Sequence, residues 1–256
     1  MMSCLRVAAA AALLAFGAAL PAAAQGFSDA QRSEIEGIIK NYLLQHPEIL
    51  QEVMNELEKK QQAADAEKNK TAVKDNAQLL FSSARQVTLG NLQGDVTLVE
   101  FFDYNCGYCK RALSDLMGLM KADPKLKVVL KEFPVLGPGS VEAAQVATAV
   151  RMQDRSGKKY LEFHQKLLGG RGQADRARAL AVAKEIGIDM ARLEKDMTSE
   201  EIRASLEESM QLADKLGLNG TPSYVVGPNV VIGAVGLEGL KDKVEFARTC
   251  AAKATC

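Results

Sequence analysis

Two cysteines, spaced as Cys106-Gly107-Tyr108-Cys109, carry the most definite chemistry in this chain. Such a pair can close a reversible disulfide or supply half of a metal site. Its surroundings favour the disulfide. Ahead of it, Thr97-Leu98-Val99-Glu100-Phe101-Phe102 is a mostly apolar run of strand length, as expected of a strand buried on both faces. Behind it, Leu113, Leu116, Met117 and Met120 recur at helical spacing. The sulfurs therefore lie where a buried strand hands over to a helix N-terminus, a place where unpaired N–H groups and the helix dipole stabilise an anion. The thiolate is the reactive form of cysteine, so that position favours a nucleophile. A structural zinc site needs four protein ligands. Only Cys4, Cys250, Cys256, His46 and His164 remain to complete one, and none is paired at a short ligand spacing with another. No metal ligand is assigned.

The elements that must hold this pair belong to a chain of 256 residues with 32 basic and 32 acidic side chains. That balance leaves no basic excess for nucleic acid. An apolar content of 47% is ample for a core, and the chain has no tryptophan and five tyrosines. Arg6 precedes an apolar run over residues 7–20, too short to span a bilayer comfortably, and Ala22-Ala23-Ala24 offers small residues for cleavage,. Residues 1–24 are expected to be a signal peptide, cleaved after about Ala24. Cys4 lies ahead of the apolar run and does not read as a lipidated cysteine. Export places the mature chain where disulfides form and persist.

Residues 25–57 read as a helical arm. Ser28-Asp29-Ala30-Gln31 has the form of a capping box,. His46-Pro47 interrupts the helix, and a second helix starts there. So few large apolar groups on an isolated helix pair rarely suffice in water. The arm therefore needs a partner surface, either its own catalytic domain or other copies of the chain. Association between chains is the reading favoured here, with Ile35, Ile39, Tyr42, Ile49 and Val53 on the oligomerising face. Residues 58–80 are highly charged, with few apolar residues other than alanine over 58–76. They are read as a solvated helix or a flexible linker,.

Residues 81–256 have the composition of a globular domain. Strands are expected over 86–90 and 127–134, the second parallel to the run before the cysteines because one helix joins them. Residues 140–216 divide into about four helices, with Ser140, Asp189 and Ser199 as candidate caps,. Two further strands, 223–226 and 230–232, flank Gly227-Pro228-Asn229, and a helix over 237–252 closes the chain. An α/β layer architecture follows.

Strand, CGYC, helix, a helical insertion over about 139–217 and then Gly220-Thr221-Pro222 before a hairpin resembles the thioredoxin superfamily in its DsbA-like branch. Three phrases resemble the suppressor of copper sensitivity C (ScsC) proteins of bacteria: residues 101–109, the run Lys131-Glu132-Phe133-Pro134-Val135-Leu136-Gly137, and Tyr42-Leu43-Leu44-Gln45-His46-Pro47-Glu48. The resemblance implies an α/β thioredoxin fold with an inserted helical subdomain, plus an N-terminal α-helical oligomerisation arm that forms trimers. It makes Cys106 the attacking thiolate, Cys109 the resolving thiol and Glu100 a buried acid that moves the second thiol's proton. A carboxyl amid an apolar strand suits that task, since burial raises its pKa. Thr221 and Pro222 become the cis-proline loop that meets substrate, and Tyr108, like Tyr104, either touches substrate or packs. No proline or histidine stands between the cysteines, so the reduced form is expected to be less stabilised than in a strong oxidant.

The implied function is a periplasmic protein disulfide isomerase or reductase, trimeric and linked to copper tolerance. Its redox centre is the Cys106–Cys109 pair with no other cofactor. Its partners would be misfolded or misoxidised exported proteins and a membrane thiol reductase as electron donor. Two alternatives stay open: a monomeric DsbA-like disulfide oxidase, and a copper-sequestering protein using both sulfurs as soft ligands. Cys250 and Cys256 are expected as a second disulfide, with copper binding or free thiols as the alternatives. His46 and His164 are expected on helix surfaces or partly buried, without a catalytic role.

Overall fold

The computed structural model describes residues 26–154 and 156–253. The signal-peptide segment, Cys4 and Cys256 lie outside the described residues. Two compact units divide between Glu58 and Lys59.

The first unit holds α1 (Asp29–Gln45) and the start of α2 (Glu48–Asp75). Ser28 caps α1 through the expected box: its Oγ accepts from the Gln31 N–H at 3.3 Å, and Gln31 Oε1 accepts from the Ser28 N–H at 2.9 Å. His46 ends the helix, with its Nδ1 3.0 Å from Glu48 Oε1. No residue of α1 is buried. Ile39, Tyr42 and Val53 are 52%, 53% and 58% exposed, and Ile35 and Ile49 are half-buried.

The second unit contains a five-stranded sheet of order β1-β3-β2-β4-β5, made of β1 (Val87–Gly90), β2 (Val96–Phe102), β3 (Leu126–Glu132), β4 (Ser223–Val226) and β5 (Asn229–Ile232). β2 and β3 pair in parallel, as expected of strands joined by one helix, α4 (Gly107–Ala122). All other pairings are antiparallel. The insertion has five helices, one more than the sequence suggests: α5 (Pro138–Gln153), α6 (Lys158–Leu168), α7 (Arg176–Glu185), α8 (Met190–Asp196) and α9 (Glu200–Lys215). α5 opens on Gly137 and Pro138, not on Ser140, because Gly137 takes φ 107° and the proline ring suits the first helical turn,. The hydroxyl of Ser140 is used elsewhere. α10 (Gly236–Lys253) closes the chain against α4. Gly227 turns β4 into β5 at φ 56°, and a Cβ there would lie 2.9 Å from that of Ala247 on α10.

The central strands alternate between two cores. Leu98, Phe102, Val128, Leu130, Tyr224 and Val226 face α4 and the helices of the insertion. Val99, Phe101, Val129 and Val225 face a second cluster completed by Phe133, Leu212, Leu216, Leu218, Val73 and Leu80. These last two revise the reading of residues 58–80 as a linker. α2 runs through the charged stretch as a helix with Val73 buried in its last turn, and Leu80 in α3 (Ala77–Phe81) is fully buried. Lys131 strengthens the dock by donating from Nζ to the Leu79 carbonyl at 2.9 Å, with Glu208 Oε1 3.7 Å away. The globular unit thus begins before residue 81, seated by Val73 among its charged neighbours and by Leu80 with Phe81 packed beside it.

Phe101 is fully buried and meets Phe133 edge-on at a centroid distance of 6.1 Å. Phe101→Ala is expected to cost about 3–5 kcal/mol, read as a lower midpoint of urea unfolding.

Candidate functional site

β2 ends at Phe102, and Asp103, Tyr104 and Asn105 carry the chain into α4. Cys106 is the N-cap of that helix, with φ −78° and ψ 116°. Its sulfur takes the part usually played by a serine or aspartate oxygen, accepting from the Cys109 N–H at 3.3 Å,. As a thiol it donates to the Thr221 carbonyl at 3.1 Å. The Thr221–Pro222 bond is cis. The loop ahead of β4 therefore lies directly against the first sulfur. Both cysteines are reduced here.

Cys109 is fully buried one helical turn below, and burial pushes its thiol well above the usual range. The Asp103 backbone and the Thr221 side chain act in the opposite direction. Glu100 is 2% exposed, and burial pushes its carboxyl up to about 8. Its Oε2 has no hydrogen-bond partner among the described residues. Strand alternation puts Glu100 on the α4 side, and in register it sits opposite Tyr224 of β4,. Burial raises the Tyr224 phenol, and the Glu100 and Cys109 charges raise it further. A buried acid and a buried thiol thus both act on one buried phenol, behind an N-cap sulfur. Such an arrangement can hold a proton for the second thiol while the first reacts.

Tyr108 is 60% exposed, with the Arg111 guanidinium 4.3 Å from its ring centroid. It is free to touch a bound chain. Tyr104 is buried and packs: its hydroxyl donates to Glu132 Oε1 at 3.3 Å, as does that of Tyr160 at 2.5 Å. His164 corrects the expectation of a surface or partly buried position. It is 1% exposed among Phe102, Tyr104 and Tyr160, and burial lowers its pKa to about 3. It sits at helical spacing with Tyr160, Phe163 and Leu167, all buried, and that pattern was legible in α6. Cys250 is buried and disulfide-bonded, and Cys256, its expected partner, is outside the described residues. Among the described residues no cluster of three or more His, Cys, Asp or Glu could hold a metal ion.

The sequence reading assigned no role to Asp103 and Asn105. Asp103 is 1% exposed and accepts four hydrogen bonds. Asn105 donates to Ser140 Oγ and the Ala174 carbonyl and accepts from the Ala174 N–H. A polar pair just ahead of a CxxC was the available signal.

Residues 97–245 match the family model described as "DSBA-like thioredoxin domain". The chain belongs to that family. Within this DsbA-like chain, residues 31–64 also match "Copper resistance protein ScsC N-terminal domain". A thioredoxin-like oxidoreductase from Silicibacter pomeroyi is 46% identical, with 67% of this chain and 97% of that one covered at a TM-score of 0.64. A linker-deletion variant of Proteus mirabilis ScsC is 26% identical and covers 89% of this chain and 99% of its own, at a TM-score of 0.66. Among curated proteins, the Na(+)/H(+) antiporter NhaA 1 of Salinispora arenicola is 26% identical over 160 residues, 62% of this chain. The chain spans 24% of that protein, so the match is to one part of a longer polypeptide. Among the described residues, no helix of this DsbA-like chain is long and apolar enough to cross a membrane.

The raised Glu100 pKa has a consequence for stability. Between its ordinary 4.5 and about 8, the folded chain keeps a proton that the unfolded chain has lost. The associated stability is full below the ordinary pKa and is lost as pH rises through about 8,. Glu132, also held near 8 by burial, acts in the same sense. Glu100→Gln is expected to flatten, but not abolish, the decline of urea-unfolding free energy across this window, removing at most ~1.4 kcal/mol per pH unit.

Proposed function

We propose that this chain is an exported thiol–disulfide oxidoreductase that reduces or isomerises disulfides of misfolded or misoxidised proteins in the periplasm, working as a homotrimer. The observation that carries the proposal is the N-cap sulfur of Cys106 against the cis Thr221–Pro222 loop, with Cys109 and Glu100 buried behind it.

The Cys106 thiolate attacks one sulfur of a substrate disulfide, and a mixed disulfide forms as the other substrate sulfur leaves as a thiolate. In isomerisation a second substrate thiolate then attacks the bridging substrate sulfur and expels Cys106 unchanged, with no net electron transfer. In reduction Glu100 first loses its own proton to water, its ionised form then takes the proton of Cys109, and Cys109 attacks Cys106,. The Cys106–Cys109 disulfide closes, the remaining substrate thiolate departs, and two electrons have passed to substrate. A membrane thiol reductase would restore the dithiol. The pair itself is the redox centre and needs no further cofactor, and its soft sulfurs suit Cu(I), consistent with a part in copper tolerance. Gly107 and Tyr108 offer no side-chain cation to a Cys106 thiolate. The expected reduction potential is therefore more negative than ~−120 mV, the value for DsbA.

The match of residues 31–64 to the ScsC N-terminal domain supports the trimer. So does the unburied apolar face of α1 and the start of α2. Three pairs in one assembly raise the effective concentration of thiolate at a bound substrate.

Incubation with a scrambled disulfide protein tests the chemistry. Cys106→Ser is expected to abolish turnover, and Cys109→Ser to accumulate a mixed disulfide visible on a non-reducing gel. An equal rate for Cys106→Ser and the unaltered protein would remove the reading. Sedimentation tests the assembly: the unaltered chain is expected at three times its monomer mass, and Ile39→Lys with Val53→Lys at the monomer mass. A monomeric unaltered chain favours the oxidase alternative.

A further inference from the structure

The backbone of Asp103 bears on both cysteines. Its carbonyl accepts from the Cys106 N–H at 3.1 Å. Its backbone also acts to lower the pKa of the buried Cys109 thiol, favouring the thiolate there. The orientation of this one residue therefore bears on both sulfurs, and its side chain is unusually restrained. Oδ1 accepts from the Asn105 N–H at 2.7 Å and from Ser140 Oγ at 2.7 Å. Oδ2 accepts from the Val135 and Leu136 N–H groups at 2.8 and 3.0 Å. The first of these bonds makes an Asx turn, which sets the path of the chain into α4. The others tie that turn to the start of the helical insertion. A buried carboxylate that accepts four hydrogen bonds is costly to alter, because each donor would be left unpaired.

We propose that Asp103 is the positioning residue of the redox pair, its carboxylate holding in register the backbone that carries the Cys106 N-cap. The proposal rests on the oxidoreductase reading given above. Its consequence is that Asp103 sustains the reactivity of Cys106 through geometry, against its own charge. A negative charge three residues away disfavours a thiolate. On charge alone, neutralising it would make Cys106 more reactive. If geometry dominates, neutralising it makes Cys106 less reactive, because the Cys109 N–H no longer points at the sulfur. The two accounts differ in sign.

Asp103→Asn tests this in the full chain. The amide keeps one acceptor but turns an NH2 group toward the Val135 and Leu136 N–H donors. Ser140→Ala is the companion variant, removing one donor to Asp103 and leaving every charge in place. Two quantities are read: the second-order rate of Cys106 alkylation by iodoacetamide across pH, and the equilibrium of the pair with glutathione. Asp103→Asn is expected to slow alkylation near neutral pH by about fivefold, the scale of one lost N-cap interaction, and to move the glutathione equilibrium toward the disulfide. Ser140→Ala is expected to do the same to a smaller extent. A faster or unchanged alkylation rate in Asp103→Asn overturns the proposal. If that variant does not fold, an unchanged rate and equilibrium in Ser140→Ala overturn it equally. Failure of the underlying reading looks different: the unaltered protein would not exchange disulfides with glutathione at all, while the alkylation rates would still report on Asp103.

Discussion

A reactive sulfur gains from the unpaired N–H groups of a helix start, while the thiol and acid that serve it need a dry interior. This chain meets both demands by ending a strand buried on both faces at the N-terminus of a helix. Cys106 takes the N-cap position, only 5% exposed beside the Thr221 carbonyl, and Cys109 is carried beneath it because the helix turns. Glu100 is dry because the alternation of β2 points it toward α4, with Tyr224 of the neighbouring strand opposite. Few positions on a sheet combine those properties. The end of a central strand, covered by helices on one face and by α3 and α9 on the other, is one of them.

The helical insertion does more than cover the sheet. Asp103 and Asn105 are hydrogen-bonded to Val135, Leu136, Ser140 and Ala174, so the approach to the cysteines is laced to the start of α5 and to the loop ahead of α7. Farther in, Tyr104 and Tyr160 both donate to Glu132, at the end of β3. Hydrogen bonds of this kind hold a loop more rigidly than apolar contact would, because breaking one leaves a buried polar group unpaired.

Local signals in the sequence carried the main architecture: the apolar run before the cysteines, the helical spacing after them and the glycine–proline turn between the last two strands. Other features were hidden for identifiable reasons. β2 is apolar on both sides, so no alternation in its sequence shows which way Glu100 points. The cis bond before Pro222 follows only from family resemblance, since about 5% of such bonds are cis. Ser140 looks like a cap, but its hydroxyl serves a carboxylate 37 residues away in sequence. Val73 is isolated among charges, and only the far core that it and Leu80 complete explains its burial. Each of these features depends on a partner distant in sequence that no local pattern names.

The aromatic composition has an optical consequence. With no tryptophan, the near-ultraviolet emission of this protein belongs to five tyrosines. Three of them, Tyr104, Tyr160 and Tyr224, are sealed in the core beside the sheet. Tyr224 lies within the electrostatic reach of Glu100 and both cysteines. Oxidation of the pair changes the charges and sulfur chemistry around a chromophore already built into the fold.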